Sequence, residues 1–506
     1  MSKYDDDGYN DTDAYELNQM KDHGNGSRHD VLMDVSQDGL KRDLWLRQII
    51  TIAIAGTIGT GLFLTSGSTI ATAGPGGALL SYTLIGIWLI FVLQAVGEIA
   101  TLLPLPGAFN AWGGRVFDEA FSFQMTWIYF VRFGADCVVL VAHDTTFPPW
   151  IVPLIIIVLM VFINIAGVKT YGELECWFSI LKVVTIIIFI VCGILVDAGA
   201  IGGHAYGFEK WRIEGDPFKG GFKSFITTLI SVANAYGGAE MTAVTAAESR
   251  NPYKHVPKAV NTALILTAFF YIASIFLLGS IVANNDPLLV NTDRSAARAP
   301  FTIVFAKAGI SGAANYMNAV VFTSVFSAIN SQFYVTTCML LSLSRNGWIH
   351  KSIGYINSRG WFVSIIGSIS FQGWLNILLL HFRFRYYWKA QGRAVSDLPY
   401  VAWGFPYGNI LATFIGCCCI VCHWYLSVIN PPQHPGAGAS EGILGAWFPW
   451  FMSATLFFSY KYICGTKLIK AVDADLDTGR FVPSESDKED LKPNGPRWKR
   501  ILKMFV

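Results

Sequence analysis

Long apolar runs separated by short polar stretches recur along nearly the whole chain. Each run is long enough to cross a hydrocarbon core of about 30 Å as a helix. Runs near 46–73, 77–103, 120–142, 149–167, 176–199, 222–248, 259–283, 313–343, 361–384, 409–430 and 443–464 predict about eleven such helices. The pattern is that of an all-α integral membrane protein, with a transmembrane domain over 45–465 set between two polar tails. Residues 1–44, rich in Asp, Gly and Asn, lack the apolar core of a signal peptide and read as a disordered cytosolic tail. The first span then directs insertion itself, and residues 466–506 form the second cytosolic tail.

Within this pattern two spans are broken by glycine. IAIAGTIGTGLFL (52–64) places Gly56, Gly59 and Gly61 where the first span has its middle. By itself such a run is open to three readings. It is a small-residue packing face, since Gly56 with Thr60 and Thr57 with Gly61 have the spacing; or a simple kink; or an unwound segment whose free backbone groups bind a solute. The sixth span carries a second break, SVANAYGGAEMTAV (231–244), with Gly237 and Gly238 in its middle and Glu240 directly after. First and sixth spans are equivalent if the chain is two inverted five-helix repeats. Paired interruptions in corresponding spans are the best sequence pointer to a transporter site at the bilayer midplane.

Two adjacent breaks have specific chemistry. Half-helix N-termini present unpaired N–H groups and the positive dipole end, which suit a carboxylate, while the opposite half-helices end in carbonyls that suit an ammonium. An amino acid zwitterion carries both groups on one carbon, so backbone alone can hold it.

Ionisable residues inside spans are functional candidates by default. Lys182, in WFSILKVVTIII, is either a snorkelling residue near the inner end or a group that exchanges a proton. Glu240, beside the second break, and Glu98, in VLQAVGEIATLLP, are the matching carboxylates, with a structural hydrogen bond the other reading for Glu98. Arg132 and Asp136 interrupt WIYFVRFGADCVVLVA; the plain expectation is an i, i+4 pair or a snorkelling arginine, the functional one a charge that recognises substrate. Ser324, Ser327, Asn330 and Ser331 share one face of the eighth span, as helix glue or as site lining.

Composition agrees with the pattern: 53% of residues are hydrophobic and 14% charged, where soluble domains carry about a quarter charged. The net charge of +2 has no clustered basic stripe, which excludes a nucleic-acid partner. Nine cysteines lie mostly in apolar runs, and CCCIVC (417–422) reads as small-residue packing, so neither a metal nor another cofactor is expected. Basic residues fall in every second connection: Lys41, Arg42 and Arg47, then Arg115, Lys169, Arg250 with Lys254 and Lys258, and Arg345 with Lys351 and Arg359. That places the N-terminus inside and segments 200–221 and 284–312 outside. One place conflicts. About 24 residues lie between Arg359 and RFRYYWKAQGR (383–393), where a hairpin needs about 40. A single crossing would put Arg383, Arg385, Lys389 and Arg393 outside, against the charge rule.

TIGTGLF (57–63), ATAGPGGALLSY (71–82), GEIATLLPLPG (97–107), INIAGVKTYGELECWFSILKVVTI (163–186), YGGAEMTAVTAAESRNPYKHVPKAV (236–260), NDPLL (285–289), SAINSQFYVTTCMLLSLSRNG (327–347), RFRYYWKAQGR (383–393) and DLDTGR (475–480) together resemble the fungal amino acid permeases of the amino acid–polyamine–organocation superfamily. The likeness runs in order from about residue 45 to about 480. It implies a five-plus-five inverted-repeat core of the LeuT-like kind, with discontinuous first and sixth helices and two further C-terminal ones, eleven or twelve spans in all. It implies a plasma-membrane carrier, not an enzyme, that imports amino acids with protons by alternating access. By the same resemblance Thr57, Ile58, Gly59, Thr60 and Gly61 look like the carboxylate-binding break. Ala235, Tyr236, Gly237 and Gly238 look like its ammonium-binding partner, with Tyr236 as an aromatic gate. Lys182 and Glu240, with Glu98, are the implied proton-coupling groups. The partners implied are the amino acid, the proton, membrane lipid, and trafficking or ubiquitylation machinery on the tails.

The chain departs from the resemblance in two places. It has one short span between Arg359 and Arg383 where relatives have two, and it is shortened between WIY (127–129) and PPWIVP (148–153). Two rival functions follow: a permease-like receptor that signals without net transport, and a splice-defective inactive form.

Overall fold

A computed structural model describes residues 42–59, 61–141, 151–165, 167–212, 217–286, 289, 300–310, 312–348, 362–429 and 439–481. All the long elements among them are helices, and a helix occupies each of the predicted spans. In chain order these are α1 (Leu46–Thr57), α2 (Ser66–Leu102), α3 (Phe109–Val116), α4 (Glu119–Val141), α5 (Ile151–Ile165), α6 (Val168–Asp197), α7 (Gly221–Tyr236) and α8 (Met241–Ala246). They are followed by α9 (Pro252–Ile281), α10 (Pro300–Lys307), α11 (Ala313–Arg345), α12 (Phe362–Ala390), α13 (Tyr407–Ile429) and α14 (Ala439–Cys464). A π-helical turn, Gly61–Thr65, joins the first break to α2. Among the described residues, five helical stretches have the length and apolarity to cross a bilayer: Leu46–Phe63, Ser66–Leu102, Val168–Asp197, Pro252–Ile281 and Tyr407–Ile429. The others are shorter, interrupted as α7 and α8 are, or carry polar residues such as Arg132 in α4 and Ser327 in α11.

The end of the first span and the whole of the second form one helical stretch, α2, bent at Gly74, which takes φ +74° with ψ 172° immediately before Pro75. Only glycine reaches that conformation without strain, and proline removes a helix donor at the same point. The amides released by the bend, those of Gly76 and Gly77, donate to the Pro217 carbonyl at 2.8 and 3.0 Å.

α6 shows which solvent the bundle is built for. Tyr171, Glu175, Ser179, Lys182 and Thr185 are buried, while Trp177, Ile180, Val184, Ile187, Val191 and Ile194 are exposed. A helix in water turns the opposite stripe outward. Polar groups inside and branched apolar ones outside are stable only where the surroundings are hydrocarbon. α13 repeats the arrangement, with Asn409, His423 and Ser427 inside and Ile410, Phe414, Val421 and Val428 outside. In its cysteine run, Cys417 and Cys418 are exposed and Cys419 is buried.

One end of the bundle collects the chain's two ends. Leu44 bonds to Glu248 and Arg250, the Phe481 amide donates to the Leu102 carbonyl, and the Ile469 amide donates to that of Phe117. DLDTGR is folded here and not part of a free tail. The Arg393 guanidinium grips Asp477, Gln391 donates to the carbonyls of Ala471 and Ala474, and Arg115 donates to that of Thr478. Arg383 and Arg385, at the end of α12, lie at this same end: Arg383 donates to the Ile469 carbonyl at 3.2 Å, and Arg385 binds Glu98 one turn before Leu102. These residues therefore share an end of the bundle with Arg42, Arg115 and Arg250 and do not lie opposite them, as a single crossing after Arg359 had implied. α11 also finishes there, through Ser342 on Asn110 (2.6 Å) and Trp348 on Tyr460 (3.0 Å). α11 and α12 thus run in the same direction, and residues 349–361 between them lie outside the described residues.

Candidate functional site

The two glycine breaks meet. α1 ends at Thr57, and Ile58 is extended at φ −84°, ψ 102°. α7 ends at Tyr236, Gly237 is extended, Gly238 takes φ +105°, and α8 starts at Met241. A Cβ on Gly56 would stand 2.7 Å from the Gly238 carbonyl oxygen, and one on Gly61 would stand 2.3 Å from the Ala235 Cα. The glycines at 56, 61 and 238 are therefore what lets backbone lie on backbone. All the residues expected in the two breaks lie here except Thr60, which is outside the described residues.

A hydroxyl that sequence reasoning missed joins the breaks. Tyr271, from α9, reaches the carbonyl of Thr57 and that of Ala235, each at 2.7 Å. Those are the carbonyls that interrupted helices leave without partners. Tyr236 stacks on Tyr271 with ring centroids 4.4 Å apart, and its hydroxyl donates to the Tyr82 carbonyl at 3.2 Å. Tyr236, the expected gate, is buried among Tyr82 and Tyr271. No sequence signal marked Tyr271, because a tyrosine in an apolar span is ordinary.

Lys182 comes to the first break from α6. Its Nζ donates to the Ser327 hydroxyl at 2.9 Å and to the Ala55 carbonyl at 3.4 Å. Ser327 in turn donates to Glu175 Oε2 at 2.6 Å, and Asn330 donates to Glu175 Oε1 at 2.7 Å. Glu175 was not singled out in the sequence, although seven residues, two helical turns, separate it from Lys182 and put both on one face. The polar stripe of α11 divides accordingly. Ser327 and Asn330 hold Glu175, Ser331 accepts from Tyr171 at 3.3 Å, and Ser324 Oγ has no hydrogen-bond partner among the described residues.

Arg132 does not snorkel: it is buried and forms an ion pair with Glu240, 108 positions away, across the bundle. The expected i, i+4 pair with Asp136 falls on a side chain outside the described residues.

Glu98 is not brought to the breaks. It sits at the tail end, paired with Arg385, 3.1 Å from His381 Nε2, and accepting the Ala402 amide at 2.6 Å. Asn409 contacts the other nitrogen of His381 at 2.7 Å. The structural reading of Glu98 has the geometry, since the carboxylate ties α2 to α12 and to the segment before α13. Among the described residues, no group of three His, Cys, Asp or Glu is placed to hold a metal ion.

The family model for amino acid permeases matches residues 48–361 and 351–470. The chain is similar to the lysine-specific permease LysP of Lactococcus lactis subsp. cremoris, with 37% identity over 86% of this chain and 93% of that protein. It is similar to the histidine permease HisP of the same organism at 36% identity, covering 87% of this chain and 99% of that one. The general amino acid permease AGP1 of Saccharomyces cerevisiae is 30% identical over 92% of this chain and 82% of its own length.

Proposed function

Because the chain belongs to the amino acid permease family, an all-α family of membrane transporters, and is no enzyme, we propose that it imports amino acids together with protons, by alternating access, across the plasma membrane. In this reading the tail end of the bundle faces the cytosol, as the gathered basic residues favour.

The observation that carries the proposal is the meeting of the two breaks under one tyrosine hydroxyl, with Lys182 touching the backbone of the first break. A substrate carboxylate is met by the backbone of the break Ile58, Gly59, Thr60 and Gly61, beyond the Ile58 amide, which the Ile54 carbonyl already holds. The ammonium takes the Thr57 and Ala235 carbonyls and displaces the Tyr271 hydroxyl, while Gly237 and Gly238 complete the wall. Separation of Gly56 from Gly238 and of Gly61 from Ala235 makes room, and movement of Tyr236 opens the way. Lys182 reports the state of the first break through the Ala55 carbonyl, and Ser327 gives it a path to Glu175. A proton moving along Lys182, Ser327 and Glu175 is then linked to the position of α1. The bacterial relatives are named for lysine and for histidine, and the yeast relative for amino acids in general. Backbone capture of a zwitterion fits all of them.

Uptake of a labelled amino acid into proteoliposomes is expected to rise when the outside is acidified and to fall to the passive level with an uncoupler. Uptake indifferent to both would refute proton coupling.

A further inference from the structure

A proton that reaches Glu175 is still buried, and the face of α11 that holds Glu175 continues toward the tail end. Ser327, Ser331, Tyr334 and Cys338 follow one another at spacings of four, three and four, which is one face of a helix. Tyr171 joins its middle: the hydroxyl donates to Ser331 at 3.3 Å, and the ring stacks on that of Tyr334 with centroids 4.4 Å apart. Glu248 stands at the far end. It lies beyond Ala246, the last residue of α8, in the connection to α9, and is only 4% exposed. Tyr334 faces it, with Cys338 and Tyr171 nearby, yet neither Glu248 Oε2 nor the Tyr334 hydroxyl has a hydrogen-bond partner among the described residues. The charged groups around it are turned elsewhere. Arg250 meets Asp43 at 3.7 Å and lies over the Trp45 ring, Arg47 holds Glu173, and His255 Nδ1 meets the Ser249 hydroxyl at 3.1 Å.

One short segment covers this carboxyl. The Leu44 amide donates to the Glu248 carbonyl at 3.0 Å, and the Leu44 carbonyl accepts the Arg250 amide at 3.1 Å. The Leu44 side chain is fully buried on α6, where a Cβ on Gly172 would stand 3.0 Å from its Cδ2. A carboxylate with no counter-charge is too costly in a dry interior and takes up a proton instead. Once uncovered, it meets water and can ionise. From this we propose that Glu248 is the cytosolic release group for the transported proton: it holds the proton while Leu44 seals the tail end, and yields it when Asp43, Leu44 and Trp45 part from 248–250. In that step the Glu248 O–H bond breaks, the electron pair stays on the carboxylate, and cytosolic water takes the proton. Leu44 cannot seal again over the bare charge, so each closure waits for a new proton from the α11 face.

The inference rests on the proton-coupled import reading, and the test separates the two. The full chain is reconstituted in proteoliposomes holding a pH-sensitive dye, and a mixture of all twenty labelled amino acids is supplied outside. Uptake, acidification of the lumen, and counterflow of labelled for unlabelled amino acid are read in parallel. The wild-type chain is expected to acidify the lumen as it takes up substrate. Glu248→Gln, fixed in the neutral form, should cut proton-driven uptake and acidification by roughly tenfold or more. Its counterflow should stay within about twofold of wild type, because exchange needs no proton release. Glu248→Asp keeps a carboxyl, and should restore acidification while shifting its dependence on lumenal pH. Wild-type acidification by Glu248→Gln overturns the inference, as does an equal loss of counterflow in the folded variant, and either leaves import standing. If Glu248→Gln does not fold, Glu248→Asp decides, and an unshifted dependence on lumenal pH overturns the inference. Uptake without acidification by the wild-type chain overturns proton coupling, and uptake of no amino acid overturns import; this inference falls with either.

Discussion

Two buried charge clusters flank the breaks, and they are wired differently. On the α6 side a neutral hydroxyl, that of Ser327, stands between Lys182 and Glu175, and Lys182 also leans on a backbone carbonyl. On the α4 side Arg132 and Glu240 touch directly. Each member of the first cluster keeps neutral hydrogen-bond partners whatever the other's charge, so a proton can come or go at moderate cost. In the second, removing either charge breaks a direct ion pair inside a dry interior. The first arrangement suits a group that must change state, and the second a group that must hold one.

The comparison breaks most readily at the direct pair. Glu240→Gln should destabilise the protein by about 3–5 kcal/mol, because it breaks a directly bonded, buried ion pair; chemical unfolding in mild detergent measures this, and a loss near zero would remove the distinction. At the bridged cluster the larger effect should be on work and not on stability. Lys182→Ala is expected to abolish accumulation against a gradient while retaining some binding. Glu175→Gln, which keeps partners for Ser327 and Asn330, should fold normally and lose the pH dependence of uptake. A Glu175→Gln chain with wild-type pH dependence would take Glu175 out of the proton path. Ser327→Ala tests the bridge itself. It should cost about 1–3 kcal/mol of stability, since Glu175 and Lys182 each lose a buried partner, and should slow proton-linked uptake more than counterflow of labelled substrate.

The smallest effect belongs to a solvent-exposed pair at the tail end, which serves as the control. The Arg393 guanidinium holds Asp477 below the usual carboxylate range. A depressed carboxyl contributes stability that is present above its unfolded value of about 3.9 and lost as pH falls through the lowered folded value. Asp477 is more than half exposed, so Asp477→Asn should cost at most a few tenths of a kcal/mol. Limited proteolysis of the 466–481 segment is expected to be unchanged at neutral pH and to quicken below about pH 4.

Much of the architecture was legible from residue order. The apolar runs located the helices because hydrocarbon demands continuous helix wherever it is crossed. The two glycine clusters located the breaks because a close backbone approach and a positive φ need glycine. The DLDTGR motif was visible, but its binding to Arg115, Gln391 and Arg393 was not, since those residues are remote in sequence. Glu175 had a local signal, its two-turn spacing from Lys182. Tyr271 had none.

The chain's own order of residues determined that it spans a membrane, where its helices lie, and that its first and sixth spans are interrupted. Partners separated by many residues were decided only by the tertiary structure. Arg132 found Glu240, Tyr271 closed both breaks, and Arg383 and Arg385 joined the basic end of the bundle. Hydropathy and backbone conformation are properties of short stretches and can be read along the chain. Which charge neutralises which depends on how helices far apart in sequence pack face to face, and one face of a helix does not name the helix that will cover it.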